Sequence, residues 1–309
     1  GLSVLIGGML IINLNYWGCN QYITQRALGA DLKTARGGIL FAAFLKLLMP
    51  IIVVLPGIAA YLLHKDGMFQ QEMLKDGVIN QDSAYPVLLN LLPAGLKGLS
   101  FAALTAAVVA SMAGKANSIS TIFTLDIYKK YINTNATEKQ LVSVGRIAII
   151  GAMVLAIVIA PFMGIDKKGG FEFIQEYTGY VSPGIFSLFI LGFFWKRTTS
   201  NAALFALIGG VSFSILTKYI PTWTGVNDCM FYTAFLDGDV YMIPFMDRMG
   251  WVFIFCVVSM VIISLADPAS KNNPRGLEID AKMFKLEPSF IFGAVVVVMA
   301  IVALYTYFW

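Results

Sequence analysis

Residues 38–63 read GILFAAFLKLLMPIIVVLPGIAAYLL, an apolar run broken by one charge, Lys46, whose nearest charged neighbours are Arg36 and Lys65. The run is longer than the roughly 20 residues a helix needs to cross a ~30 Å hydrocarbon core. A cation in mid-span costs about 2.5–3.5 kcal/mol on insertion scales, and such residues face a partner or a watery cavity. Snorkelling is the plain alternative. Lys46 lies roughly 15 Å of helix rise from the end of the run at Gly37, which is deep for that role. The stretch reads as a membrane-spanning helix beside a pathway.

The whole chain supports a membrane reading. It is 58% hydrophobic and only 13% charged, with a mean hydropathy of +0.75, far from the soluble balance. Eight apolar stretches reach spanning length: Leu2 to Leu28, Gly38 to Leu63, Leu96 to Phe123, Leu141 to Met163, Phe171 to Trp195, Ala202 to Ile220, Gly250 to Leu265 and Pro288 to Phe308. None shows the ten-residue polar/apolar alternation of a barrel strand. The expectation is an all-α polytopic membrane protein, one transmembrane domain over residues 1–309.

Basic residues set the orientation. One face carries Arg26, Lys33, Arg36, Lys129, Lys130, Lys139, Lys196, Arg197, Lys271, Arg275, Lys282 and Lys285; the other has Lys65, Lys75, Lys97, Lys167, Lys168, Lys218 and Arg248, mixed with Asp66, Asp228, Asp237 and Asp239. The richer face is assigned to the cytoplasm, which puts both termini outside. The net charge of +4 is accounted for by those cytoplasmic loops and implies no nucleic-acid partner. Cys19 and Cys256 fall in spans and Cys229 in an outer loop, so no disulfide framework or metal spacing is visible. With His64 the only histidine, a Ser-His-Asp triad and a His-rich metal site are unattractive. No nucleotide motif argues for an ATP-driven pump, and no nucleophile-base pair argues for an enzyme.

Two spans are unusually polar. In the first, Asn13, Tyr16 and Trp17 share a helical face at i, i+3 and i+4, with Asn15, Gly18, Asn20 and Gln21 around them. Such a run suggests an interrupted helix lining a cavity; interhelical hydrogen bonding with an interfacial aromatic is the other reading. In the fifth, Phe171 and Gln175 share one stripe and Glu172 and Glu176 the next, while Ser182-Pro183-Gly184 marks a kink or break. The two glutamates read as solvated helix-end charges. Gln175, uncharged and beside an aromatic residue, is the stronger candidate for recognition.

These residues carry a resemblance. Asn15-Tyr16-Trp17-Gly18 through Gln25-Arg26, Phe44-Leu45-Lys46, Leu55-Pro56-Gly57, Ala84-Tyr85-Pro86, Lys97-Gly98-Leu99, Phe123-Thr124-Leu125-Asp126-Ile127-Tyr128 and Gln175-Glu176-Tyr177-Thr178-Gly179 resemble, in order, the sodium/glucose cotransporters of the sodium/solute symporter family. The resemblance implies a LeuT-like core of two inverted five-helix repeats, of which this chain is similar to the second, followed by three further helices. Gly1 opens directly in an apolar run without a Met or charged leader, so the N-terminal half of the same protein is expected as a partner of this chain.

What the resemblance implies fits the chemistry of a sugar, which offers hydroxyls for amide or ammonium groups and a C–H face for an aromatic ring. Asn13, Lys46 and Gln175 would supply the polar contacts. Tyr16 would be the stacking platform and inner gate, Trp17 its neighbour, and Phe171 part of the outer gate. Sodium, as coupling ion, would take the carbonyl of Ala107 and the hydroxyl of Ser111; Ala110 departs from the family by offering no hydroxyl. Without the resemblance, Ser111 reads as back-bonding to its own helix. Lys115 shares the face of Ser111 nearer the cytoplasm and is read as steering ions or pairing with a carboxylate. Arg146 can snorkel, and Asp126 reads as an anchor at the end of the third span. The leading expectation is a multi-pass transporter of the inner cell membrane that carries a neutral sugar such as galactose or glucose inward with sodium. A sensor or uncoupled uniporter of the same fold, or a symporter for an inositol or a sugar acid, is the alternative.

Overall fold

A computed structural model describes residues 4–75, 77–162, 170–237, 239–272 and 280–308. Leu2, Met163, Lys167, Lys168 and Arg275, used above for span ends and loop charge, lie outside the described residues, as does the side chain of Phe171. A π-helical segment, Val4–Met9, leads into α1 (Leu10–Cys19), and α2 (Gln21–Leu28) follows. Next come α3 (Leu32–Lys65), the short α4 (Ala84–Leu89) and α5 (Ala94–Thr121), which runs on as a π-helix over Ile122–Ile132. The chain continues through α6 (Glu138–Ile159), α7 (Gly170–Phe194), α8 (Ser200–Lys218), α9 (Ile220–Thr224), α10 (Phe245–Ala266), α11 (Ala269–Asn272) and α12 (Pro288–Phe308). Strands occur only as three two-stranded antiparallel hairpins among the described residues, registered Leu74 to Ile79, Asp228 to Thr233 and Phe235 to Met242.

Local sequence explains the helix starts. Asp31 caps α3 by accepting from the Thr34 amide at 3.3 Å, and Thr137 with Gln140 forms a reciprocal capping box ahead of α6. Thr199 caps α8. Seven helices among the described residues are long and apolar enough to cross a bilayer. The first expected span is not one of them, because it is divided at Asn20.

The fifth span corrects an expectation. Of the kink or break expected at Ser182-Pro183-Gly184, the break is absent: α7 runs through Pro183 to Phe194. Ser182 Oγ donates to the Thr178 carbonyl at 2.8 Å, and Gly184 is there for close approach. A Cβ on Gly184 would stand 2.5 Å from the carbonyl oxygen of Ala206. Asp126, expected as a surface or loop anchor at the end of the third span, is exposed on the helical continuation that reaches Ile132.

The chain divides into two compact units. The first comprises Gly1–Thr24 and Phe171–Leu286. Its centre is the contact of α8 with α10, where Ala202, Ala206, Val252, Cys256 and Met260 are fully buried. The N-terminal π-helix lies on α10 where Gly7 meets Gly250, a Cβ on Gly7 standing 3.2 Å from the Gly250 Cα. Ile11, Phe186 and Met249 form a second buried cluster, with Phe186 stacked on Phe253 at 5.3 Å. The second unit comprises Gln25–Gly170 and Glu287–Trp309. In it α12 crosses α3 at Gly293 and Leu40, α6 meets α5 where Gly145 faces Ser120, and Ala60, Met73 and Val87 cluster at the end of α3.

Candidate functional site

The polar first span owes its interruption to Asn20. This residue is extended (φ −85°, ψ 114°), its carbonyl accepts from the Ile23 and Thr24 amides at 3.0 Å each, and its side-chain Oδ1 accepts from the Tyr22 amide at 3.2 Å. Asn20 thus starts a new helix in mid-segment, as asparagine does at helix N-caps. The expected interruption is present. Just ahead of it, the Oδ1 of Asn15 is buried with no hydrogen-bond partner among the described residues.

Asn13 and Tyr16 stand exposed on α1 and Trp17 is half-buried; the two rings meet edge to face at 5.9 Å and 86°. Tyr16 is 41% exposed. The amide of Asn13 turns back on its own helix, Nδ2 donating to the Met9 carbonyl at 2.8 Å. Gln175 is half-buried on α7 in the same unit.

Its neighbour overturns an expectation. Glu176 is not a solvated helix-end charge: its side chain is 13% exposed, and Oε1 accepts from Lys218 Nζ at 2.8 Å and from the Tyr180 hydroxyl at 3.3 Å. Arg248 Nη2 stands 3.8 Å from the same oxygen. Lys218, read from sequence near the end of the sixth span, is the last residue of α8, and Arg248, read ahead of the seventh span, lies in the first turn of α10. The signal that could have found Arg248 was Pro244 followed by Asp247, a proline and an acidic first turn that start α10 before the apolar run at Gly250.

The remaining candidates belong to the second unit. Lys46 is exposed on α3, roughly 21 Å of helix rise from the first residue, Leu32. Ala107, Ala110 and Ser111 occupy consecutive turns of α5 on exposed positions, one backbone oxygen and one hydroxyl being the two ligands this set offers. That is too few for a sodium cage, so further oxygens from other elements would be required. Lys115 and Arg146 are exposed as well. His64, 9% exposed at the end of α3, points Nδ1 at the Phe69 carbonyl at 3.4 Å, a structural contact. Cys19, Cys229 and Cys256 are free thiols.

With the geometry described, comparisons place the chain among known proteins. The sequence model of the sodium:solute symporter family matches residues 2–210. The chain is 41% identical to a sodium/glucose cotransporter of Vibrio parahaemolyticus, over all of this chain and 54% of that protein. It is 38% identical to the human sodium/myo-inositol cotransporter 2 over 66% of the chain and 31% of the relative. An uncharacterised symporter of Escherichia coli (strain K12) is 33% identical over 69% of the chain and 36% of its own length. The chain spans about half the length of the Vibrio protein and about a third of the other two. It is an all-α, multi-pass membrane protein, and it belongs to the sodium:solute symporter family.

Proposed function

We propose that this protein is a secondary transporter that carries a neutral sugar, galactose or glucose, inward across the inner cell membrane with sodium, its richer basic face in the cytoplasm. The observation that carries the reading is the 41% identity along the whole chain to a sodium/glucose cotransporter. It is supported by the shared face of exposed Asn13 and Tyr16 and half-buried Trp17, placed one to two turns ahead of the helix break at Asn20.

In this reading Tyr16 offers its ring to the C–H face of the sugar and closes the inner side, while Phe171 stands at the outer side. Lys46, Gln175 and Asn13 meet the hydroxyls, and the hydrogen bond of Asn13 to Met9 is exchanged for one to the sugar. Amide and ammonium donors recognise a neutral polyol without demanding a carboxylate, which would call for a bidentate arginine. Sodium is cargo, not a resident cofactor: Ala107 and Ser111 contribute two of its oxygens, and the remainder come from elsewhere in the protein. The description of the family as symporters assigns it to carriers rather than enzymes. The 38% identity to a myo-inositol cotransporter favours an inositol as the second reading of substrate.

The test is uptake of labelled galactose into proteoliposomes with and without an inward sodium gradient, with glucose and myo-inositol as competitors. Sodium-driven accumulation displaced by glucose supports the reading. Displacement by inositol alone moves the substrate to the second reading. Ala110→Ser should lower the sodium concentration for half-maximal uptake. Indifference to sodium in both parent and variant would replace symport with uncoupled passage or sensing.

A further inference from the structure

Arg248 is the largest fully buried side chain of the described residues, at 1% exposure, and its Nε and both Nη atoms have no hydrogen-bond partner among them. A buried guanidinium with five unspent donors is costly unless something else in the protein's working cycle uses it. Its ring partner is Tyr180, with the guanidinium carbon 4.7 Å from the ring centre, a cation–π contact that holds the plane without using the N–H groups. Its charge partner is Glu176, at 3.8 Å, just outside hydrogen-bond reach.

The same carboxylate oxygen is already taken by Lys218, at 2.8 Å, with Tyr180 beside it at 3.3 Å. The allocation is lopsided. Lys218 is 14% exposed and carries rotatable donors on a flexible stem, whereas Arg248 presents the planar fork that suits a carboxylate and makes no hydrogen bond to it. A carboxylate shift of about 1 Å would turn the present ion pair of Arg248 into a hydrogen bond. The three charged groups stand on three helices, Glu176 on α7, Lys218 on α8 and Arg248 on α10, and Glu176 is the chain neighbour of Gln175. Helices α8 and α10 are bound to each other by a fully buried seam on which Leu188 and Leu191 of α7 also pack, whereas Glu176 lies two turns ahead of Gly184, where α7 meets the backbone of α8.

We propose that Glu176 is the positioning residue of α7, its carboxylate passing between Lys218 and Arg248 as the outer half of α7 shifts, so that each cation holds one position of Gln175. The inference rests on reading Gln175 as a substrate contact. It predicts a split between binding and turnover. In protein reconstituted into proteoliposomes, Glu176→Gln, Lys218→Met and Arg248→Lys should each lower the maximal rate of sodium-driven galactose uptake at least about tenfold, while equilibrium galactose affinity stays within about twofold. The double variant Glu176→Gln/Arg248→Lys should be no slower than Glu176→Gln alone, since both changes remove one link. Parental uptake by Glu176→Gln overturns the proposal, as does a double variant whose defects multiply. Arg248→Lys tests a fully buried site; if it does not fold, the isosteric Glu176→Gln and the partly exposed Lys218→Met decide by the same criterion. Gln175→Ala separates the underlying reading: parental galactose affinity in that variant removes Gln175 from the sugar site, whatever the uptake rates of the Glu176 and Lys218 variants show.

Discussion

The two units of this chain use the same kind of helix in different ways. In the first, the most apolar 18-residue stretches of α7, α8 and α10 bury 33%, 28% and 28% of their residues; in the second, those of α3, of α5 with its π-helical continuation, of α6 and of α12 bury 0%, 0%, 6% and 0%. Apolarity does not separate them. Small residues alone do not either, since α5 is rich in alanine and glycine; what differs is where they meet a neighbour, as Gly184 meets Ala206 and Gly210 so that α7 and α8 approach to backbone contact, with Ser214 and Ser264 fully buried. Lipid tails are as apolar as leucine, so hydrophobicity alone gives helices in a membrane no reason to associate, and close packing of small residues does. The difference teaches that the first unit holds its shape through internal contacts, whereas the apolar surface of the second is not consumed inside that unit.

The comparison can be broken first at Gly184. Gly184→Leu sets a side chain against the Ala206 backbone and should cost about 3 kcal/mol or more, at the top of the overpacking range, read as a large fall in the melting temperature of the purified protein in detergent. An unchanged melting temperature would mean that the α7 to α8 approach is not what holds the first unit. The second unit should respond in function instead of stability. Lys46→Ala removes a charge-assisted hydrogen bond worth about 1.5–3 kcal/mol, so galactose should bind roughly tenfold to a hundredfold more weakly with melting unchanged. Unaltered affinity would return Lys46 to snorkelling.

A smaller effect sharpens the first unit's polar seam. Ser264→Ala strips the buried Thr199 amide of its acceptor, 3.2 Å away, and should cost about 1–3 kcal/mol in thermal stability. In the second unit Gly98 has open space around its Cβ position and lies inside α5, so Gly98→Ala should be neutral or stabilise by up to about 1 kcal/mol. Loss of stability there would show a contact absent from the unit itself.

The smallest effect is in acid. Asp267, between α10 and α11, is held below the ordinary carboxylate value of about 3.9, first by the Ala269 amide and then by Asn201; Asp31 at the start of α3 is lowered by Thr34. Both folded values are depressed, so this stabilisation is full above the ordinary value and is lost as pH falls through the lowered one. Melting temperature titrated downward from pH 5 should drop less steeply in Asp267→Asn than in the parent.

Much of this was legible in the sequence because the bilayer imposes it. A spanning helix must satisfy its own backbone and present some 20 apolar residues, so α3, α5, α6, α8 and α12 can be read from hydropathy to within a few residues, and the excess of asparagine and glutamine in the first span announces its interruption. The family was legible as well, since its motifs are strings of specific residues in order. The Glu176, Lys218 and Arg248 cluster was not. Each of those charges lies near the end of an apolar run, where a solvated ion and a buried one look alike in one dimension, and only the convergence of three helices decides between them. Ser182-Pro183-Gly184 met the same limit: proline and glycine together signal a break when the neighbours are unknown, yet here the glycine admits the backbone of α8 and the helix continues. Hydropathy and residue order therefore pointed to the seven helices long and apolar enough to cross a membrane among the described residues, and to the family. Which faces meet, and which charges pair, only the tertiary structure decided, because both depend on distances between residues far apart in the chain.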